Sequence, residues 1–130
     1  MKKILSSLAL FLVITSCSEN KPNEVTQEPV QLRLTNTTDA DFEDVVLRDR
    51  FVGFLASGES SDFYTFDMAY RYGYVEALVN GEKFTIQPID FVGEFPLNPG
   101  KYAYRLFFNE EDDSGPYLDL SFEVLPPDTE

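Results

Sequence analysis

The alternation of apolar and polar residues constrains the fold of this chain more than any other feature. In Val30–Thr35 every second residue is apolar, and Leu118–Val124 repeats the pattern. A period of about two residues is that of a β-strand with one buried face. After Cys17 no segment has the period of about 3.6 residues that an amphipathic helix requires. The sequence therefore predicts an all-β domain.

Turn signals divide this domain into short strands. Asn80-Gly81 is the pattern of a type I′ hairpin turn, and Ala56–Glu59 and Leu97–Gly100 are further turns, the first with Gly58 available for a positive φ. We expect about seven strands, and the segments with strand character are Val30–Thr35, Phe42–Arg48, Phe51–Ala56, Ser60–Phe66, Tyr74–Val79, Glu82–Gln87, Lys101–Phe108 and Leu118–Val124.

Strands of this length and number predict a single antiparallel β-sandwich over residues 30–126, with a small barrel as the alternative. The rhythm of Leu32–Thr38, Asp44–Leu47 and Leu97–Tyr102 resembles that of immunoglobulin-like domains in bacterial envelope proteins. This resemblance implies an immunoglobulin-like sandwich and no particular functional residue.

The N-terminus has the pattern of a secretory signal peptide. Lys2 and Lys3 precede the apolar run Ile4–Ile14, which is followed by small residues and Cys17. The run is too short to span a bilayer, which takes about 20 apolar residues. We therefore expect residues 1–16 to be removed.

The end of this segment, Ile14–Cys17, resembles the lipobox of bacterial lipoproteins. The resemblance implies cleavage before Cys17, lipid on its sulfur and, because Ser18 follows, an outer-membrane location. The whole chain also resembles short envelope lipoproteins of Gram-negative bacteria that have no assigned function. Without the lipobox, the alternative is a secreted protein with an accidental cysteine.

Charge and composition limit the classes of partner that we expect for this chain. Ser18–Pro29 is polar and contains two prolines, so we expect residues 17–29 to form a flexible tether and residues 127–130 a disordered tail. Loss of the signal peptide would change the net charge from −13 to −15. Since nucleic-acid binding depends on clustered Lys and Arg, we expect no nucleic-acid partner.

The residue inventory argues against catalysis. The chain has no histidine, and its one cysteine, Cys17, is assigned to lipid. Phosphate-cradling glycine motifs are also lacking, and we expect no cofactor. The alternative that stays open is a small hydrolase that uses paired carboxylates.

A tyrosine-rich segment and an apolar loop are the candidate binding face. Tyr70, Tyr72 and Tyr74 would share one side of an extended segment that also carries Arg71, although rings of this kind also fill sandwich cores. The loop Pro88–Pro96 contributes Phe91 and Phe95, one of which we expect to plug the open end of the sandwich. Charge alone suggests that Arg71 pairs with Asp90 or Glu94.

An acidic run offers a weaker candidate. Glu110, Glu111, Asp112 and Asp113 supply the oxygen ligands that calcium prefers, but not the alternating spacing that directs them at one ion. We expect a solvated hairpin tip at this position rather than a metal site.

Together these features predict a non-catalytic binding or scaffolding module, anchored to the outer membrane through lipid at Cys17 and facing the periplasm or the cell exterior. Its expected partner is an envelope protein or a glycan. The alternatives are a calcium- or glycan-binding accessory protein and a carboxylate-dependent hydrolase.

Overall fold

The computed structural model describes residues 29–89, 94–110 and 113–128. The predicted signal peptide, Cys17, residues 18–28 of the predicted tether, and the candidates Asp90, Phe91, Glu111 and Asp112 lie outside these ranges. The described residues form eight strands and no helix. The strands are β1 (Val30–Asn36), β2 (Phe42–Leu47), β3 (Arg50–Leu55), β4 (Tyr64–Phe66), β5 (Val75–Val79), β6 (Glu82–Ile86), β7 (Gly100–Asn109) and β8 (Tyr117–Val124). Within the same ranges, no helix has the length and apolarity needed to cross a bilayer.

Two four-stranded sheets form a β-sandwich, which confirms the predicted fold class. One sheet has the order β4-β1-β7-β8 and the other β3-β2-β5-β6. The structure has eight strands where we expected about seven. One pairing, between β1 and β7, is parallel, which is possible because a long stretch of chain separates these two strands.

The core lies between the two sheets and follows the alternation in the sequence. Val30, Leu32 and Leu34 of β1 are buried, and the polar residues between them are only partly buried. In β7, Tyr102, Tyr104 and Leu106 point into the same core. The alternation therefore predicted correctly which face of each of these strands is buried.

The predicted turns also form. Val79 pairs with Glu82 across Asn80 and Gly81, both of which have positive φ (52° and 82°), as a type I′ turn requires. The turn Ala56–Glu59 is closed by a 3.0 Å hydrogen bond from the Glu59 N–H to the Ala56 carbonyl oxygen, and Gly58 has the expected positive φ of 78°.

The strand predicted over Ser60–Phe66 is wrong in its first half. Only Tyr64–Phe66 is a strand, and Ser60 makes an isolated bridge with Thr35. The backbone still contacts β1 there, since the Ser61 N–H donates to the Leu34 carbonyl oxygen (2.8 Å), but the Leu34 N–H donates to Ser61 Oγ (3.0 Å) instead of to a backbone carbonyl. Side chains of this kind compete with regular pairing of the backbone.

A buried asparagine closes the end of β1. Asn36, part of a polar turn cluster in the sequence, has no exposed surface. Its amide nitrogen donates to the carbonyl oxygens of Ala40 (2.8 Å) and Leu55 (3.1 Å), and its amide oxygen accepts from the N–H and hydroxyl of Thr38. Because the amide is fully paired, it can be buried without a desolvation penalty for an unmatched group.

Candidate functional site

A groove opens at the end of the sandwich where β2, β4 and β6 end and β3 and β5 begin. We call it the tyrosine groove. Its volume is about 660 Å³, which lies within the range of small-ligand sites. The residues that line it are Arg48, Asp49, Arg50, Phe66, Asp67, Met68, Tyr70, Tyr72, Gly73, Tyr74, Gln87 and Pro88.

The segment 67–74, which supplies most of this lining, is fixed to the sandwich by backbone contacts. The Tyr104 hydroxyl donates to the carbonyl oxygen of Tyr70 (2.6 Å), and the Leu97 N–H donates to that of Ala69 (2.8 Å). At the end of the segment, the Arg48 N–H donates to the Tyr74 carbonyl oxygen (2.8 Å). A segment without secondary structure thus has a defined position.

Tyr104 makes this anchor from within the core. Its side chain has no exposed surface, and this burial raises the pKa of its phenol well above the ordinary value, although the nearby Arg48 charge acts in the opposite direction. The phenol is therefore a permanent hydrogen-bond donor. Gly73 lies against it, since a Cβ atom on Gly73 would be 3.2 Å from the Tyr104 hydroxyl oxygen.

The three predicted tyrosines lie along the same groove. Tyr70, Tyr72 and Tyr74 are each half-buried, so they belong neither wholly to the core nor wholly to the surface. The Tyr74 hydroxyl donates to the Glu76 carboxylate (2.7 Å), and this hydrogen bond raises the pKa of the phenol, as do burial and the carboxylate charge. The same bond lowers the pKa of the Glu76 carboxyl, against the effect of desolvation and with the help of Lys83.

Two arginines that sequence reasoning did not identify complete the groove. The guanidinium carbons of Arg48 and Arg50 lie 4.5 and 4.6 Å from the centroid of the Phe66 ring. Arg48 Nη1 donates to the Met68 carbonyl oxygen (2.8 Å), and Arg50 Nη2 donates to that of Thr65 (2.8 Å). Each contact joins the sheet that contains β3 to the segment that contains β4, so both arginines also hold the sandwich together.

Arg48 occupies an unusual backbone position. It is the first residue of the two-residue loop between β2 and β3, where Leu47 pairs with Arg50. Its φ is 59°, whereas that of Asp49 is not positive. Positive φ at the first central position alone is the pattern of a type II′ turn, in which glycine is the usual residue. In the sequence, Arg-Asp-Arg between two predicted strands could have indicated this turn, but it contains no glycine, the residue by which a type II′ turn is usually recognised.

The charge in the groove is balanced, although the chain as a whole is strongly acidic. Its lining includes Arg48 and Arg50 together with Asp49 and Asp67, which gives a formal sum of zero in a chain of net charge −13. Arg50 Nε pairs with the Asp49 carboxylate at 3.4 Å. The lining of the tyrosine groove therefore does not share the excess negative charge of the chain as a whole.

Arg71 and Phe95 lie away from this groove. Both line a second groove, of about 560 Å³, in which the Arg71 guanidinium lies 5.8 Å from the centroid of the Phe122 ring. Phe95 is 83% exposed and does not plug the sandwich, while Phe91, the other residue expected in that role, lies outside the described residues. Among the described residues no ion pair joins Arg71 to Glu94. The predicted binding face is therefore divided between two grooves, because the side chain of residue 71 does not lie on the same side of segment 67–74 as the tyrosines before and after it.

The acidic run is only partly described. Glu110 and Asp113 are exposed near the β7–β8 connection. In the three described ranges, no group of three or more His, Cys, Asp or Glu side chains is arranged to hold a metal ion. At the other end of the domain, Asp128 of the predicted tail pairs with Lys101.

Comparison with known proteins gives no relative. No protein-family model, no curated protein and no solved structure matches the chain. The function is therefore argued from the residues of the chain itself.

Proposed function

We propose that this chain is a non-catalytic binding module, anchored to the outer membrane through lipid at Cys17, and that the tyrosine groove is its binding surface. The observation that carries the proposal is the grouping of three half-buried tyrosines and two arginines in one groove. Aromatic rings and guanidinium groups contribute most of the binding energy at protein recognition sites.

The position of the groove suits an anchored protein. Val30, the first residue of β1, pairs with Phe66, which lines the groove. The predicted tether, which ends at residue 29, therefore enters the sandwich beside the groove. A ligand held there would lie at the end of the domain to which the tether is joined.

The anchoring arm of the proposal is tested by mass spectrometry of the native protein. We expect the N-terminal peptide to begin at Cys17 and to carry acyl chains. A free thiol at Cys17, or an intact N-terminal segment, would contradict this arm.

The binding arm is tested with the full mature protein in detergent on an array of envelope polysaccharides and peptides. We expect retention of at least one ligand by the native protein and loss of it in Tyr72→Ala. The matched control is Tyr117→Ala, because Tyr117 is also exposed but begins β8 at the opposite end of the sandwich. Equal retention by both variants, or no retention by the native protein, would contradict the proposal.

A further inference from the structure

We infer that the tyrosine groove binds a saccharide that carries a carboxylate, and that the guanidinium of Arg48 is the group that recognises this carboxylate. The inference rests on the proposed function and specifies the ligand class of the same groove.

Arg48 differs from the other cationic side chains of the described residues in its partners. Four of those side chains pair with a carboxylate, namely Arg50, Lys83, Lys101 and Arg105. Arg33 and Arg71 lie over the rings of Phe63 and Phe122, outside the groove. Within the described ranges, Arg48 is the cation that lines the tyrosine groove without an acidic partner.

The Arg48 side chain is held in place before any ligand arrives. It lies on the Phe66 ring, and one of its N–H groups donates to the Met68 carbonyl oxygen. A guanidinium has several N–H donors in a planar fork, so donors remain for a bidentate contact with a carboxylate. Because its rotamers are already restricted, binding would order little additional side chain.

The backbone at Arg48 is also costly to maintain. A non-glycine residue at a φ of 59° carries a steric cost, because its Cβ is crowded by its own backbone, and glycine would remove this cost. Strain of this kind is found most often at functional sites, where the side chain is required for another reason. In this turn, glycine would relieve the strain but would remove from the groove the guanidinium that has no acidic partner.

The remaining lining favours a saccharide over an acidic peptide. Tyrosine rings offer flat apolar faces to sugar rings, while the Gln87 amide and the Asp67 carboxylate can bind hydroxyl groups. An extended peptide usually adds to the free edge of a sheet. The groove instead runs across strand ends, which present no continuous row of backbone donors and acceptors.

The test compares charged and neutral forms of one ligand. The probes are tetramers of galacturonate, glucuronate and mannuronate, each with its methyl ester, in which the carboxylate is neutralised and the sugar unchanged. Affinities for the mature protein in detergent are measured by calorimetry at low salt. We expect at least one acid to bind about tenfold or more tightly than its ester, and this preference to weaken as salt is added.

Arg48→Gly should remove this preference, so that acid and ester bind with equal affinity. Arg48→Gln, which keeps the length of the side chain and removes the charge, is a second variant in case the first alters the loop. The matched control is Arg105→Ala, since Arg105 is an exposed arginine of β7 outside the groove, and it should keep the preference.

The outcomes separate the inference from the proposed function. Equal binding of acid and ester by the native protein, or an acid preference that survives in both Arg48 variants, would overturn the inference and leave the binding module intact. If the native protein binds none of the tetramers but retains a neutral glycan or a peptide on the array, the inference fails alone. If it retains nothing, the proposed function fails as well.

Discussion

The positive φ of Arg48 predicts that glycine is more stabilising than alanine at this position, which is the reverse of the usual order. At most positions, replacement of alanine by glycine destabilises a protein, because glycine has more conformational freedom in the unfolded chain. At a φ of 59° the Cβ of any other residue is crowded by its own backbone. We therefore expect Arg48→Gly to be more stable than Arg48→Ala.

The magnitude follows from the contacts of the side chain. Both variants lose the contact of the guanidinium with Phe66, about 0.5–1 kcal/mol, and a hydrogen bond to the Met68 carbonyl, about 1 kcal/mol. Only Arg48→Gly regains the steric cost, about 1–2 kcal/mol, from which the entropy of glycine subtracts about 0.5–1 kcal/mol. The free energy of unfolding of the glycine variant should thus exceed that of the alanine variant by about 1 kcal/mol.

The assay is urea unfolding at neutral pH, followed by far-UV circular dichroism because the chain contains no tryptophan. The control pair is Ser121→Ala and Ser121→Gly, at an exposed position within β8 that lacks positive φ. There, glycine should be the less stable variant by about 0.5–1 kcal/mol. If alanine is as stable as glycine at position 48, the argument from backbone strain is refuted.

Three further predictions concern the groove, its support and the opposite end of the sandwich. Tyr104→Phe removes the donor to the Tyr70 carbonyl oxygen and should lower the free energy of unfolding, measured in urea, by about 2 kcal/mol. Because burial raises the pKa of Tyr104, the native protein should also lose stability as pH rises above the ordinary tyrosine pKa of 10, and the variant should lose less. Asn36→Ala removes the four hydrogen bonds of a buried amide and should cost about 3 kcal/mol in the same assay, and a loss below about 1 kcal/mol would contradict the role assigned to this amide. Because the pKa of Glu76 is lowered, the stabilising contribution of its carboxylate is present above the ordinary carboxyl pKa of 4.5 and is lost as pH falls. Between neutral and acidic pH, the urea midpoint of Glu76→Gln should therefore decrease less than that of the native protein. An equal decrease would contradict the Tyr74 contact.

Local patterns of the sequence predicted much of the fold. The alternation in β1 and β7 predicted their buried faces, and Asn80-Gly81 predicted the hairpin of β5 and β6, because both signals act between residues that are close in the chain. The strand predicted from Ser60 failed where Ser61 Oγ accepts from the Leu34 N–H and the Ser60 hydroxyl bonds to that of Thr35. Such bonds depend on β1, a partner distant in sequence.

The candidate site was harder to predict for the same reason. The tyrosines of segment 67–74 were identified from their spacing, but Arg48 and Arg50 reach them only through the packing of two sheets. Phe91 or Phe95 was expected to plug the open end of the sandwich because the loop that contains them is apolar, and nothing in the neighbours of Phe95 along the chain shows that it is exposed. Residues brought together from separate strands leave no local pattern.

The most direct test of a binding role for the tyrosine groove is hydrogen exchange of the mature lipoprotein, measured by mass spectrometry with and without its best-binding uronate tetramer. The account predicts slower exchange in peptides that cover residues 48–50 and 67–74, and unchanged exchange around residues 94–98 of the second groove. Protection confined to the second groove, or unchanged exchange in both grooves at saturating tetramer, would contradict it.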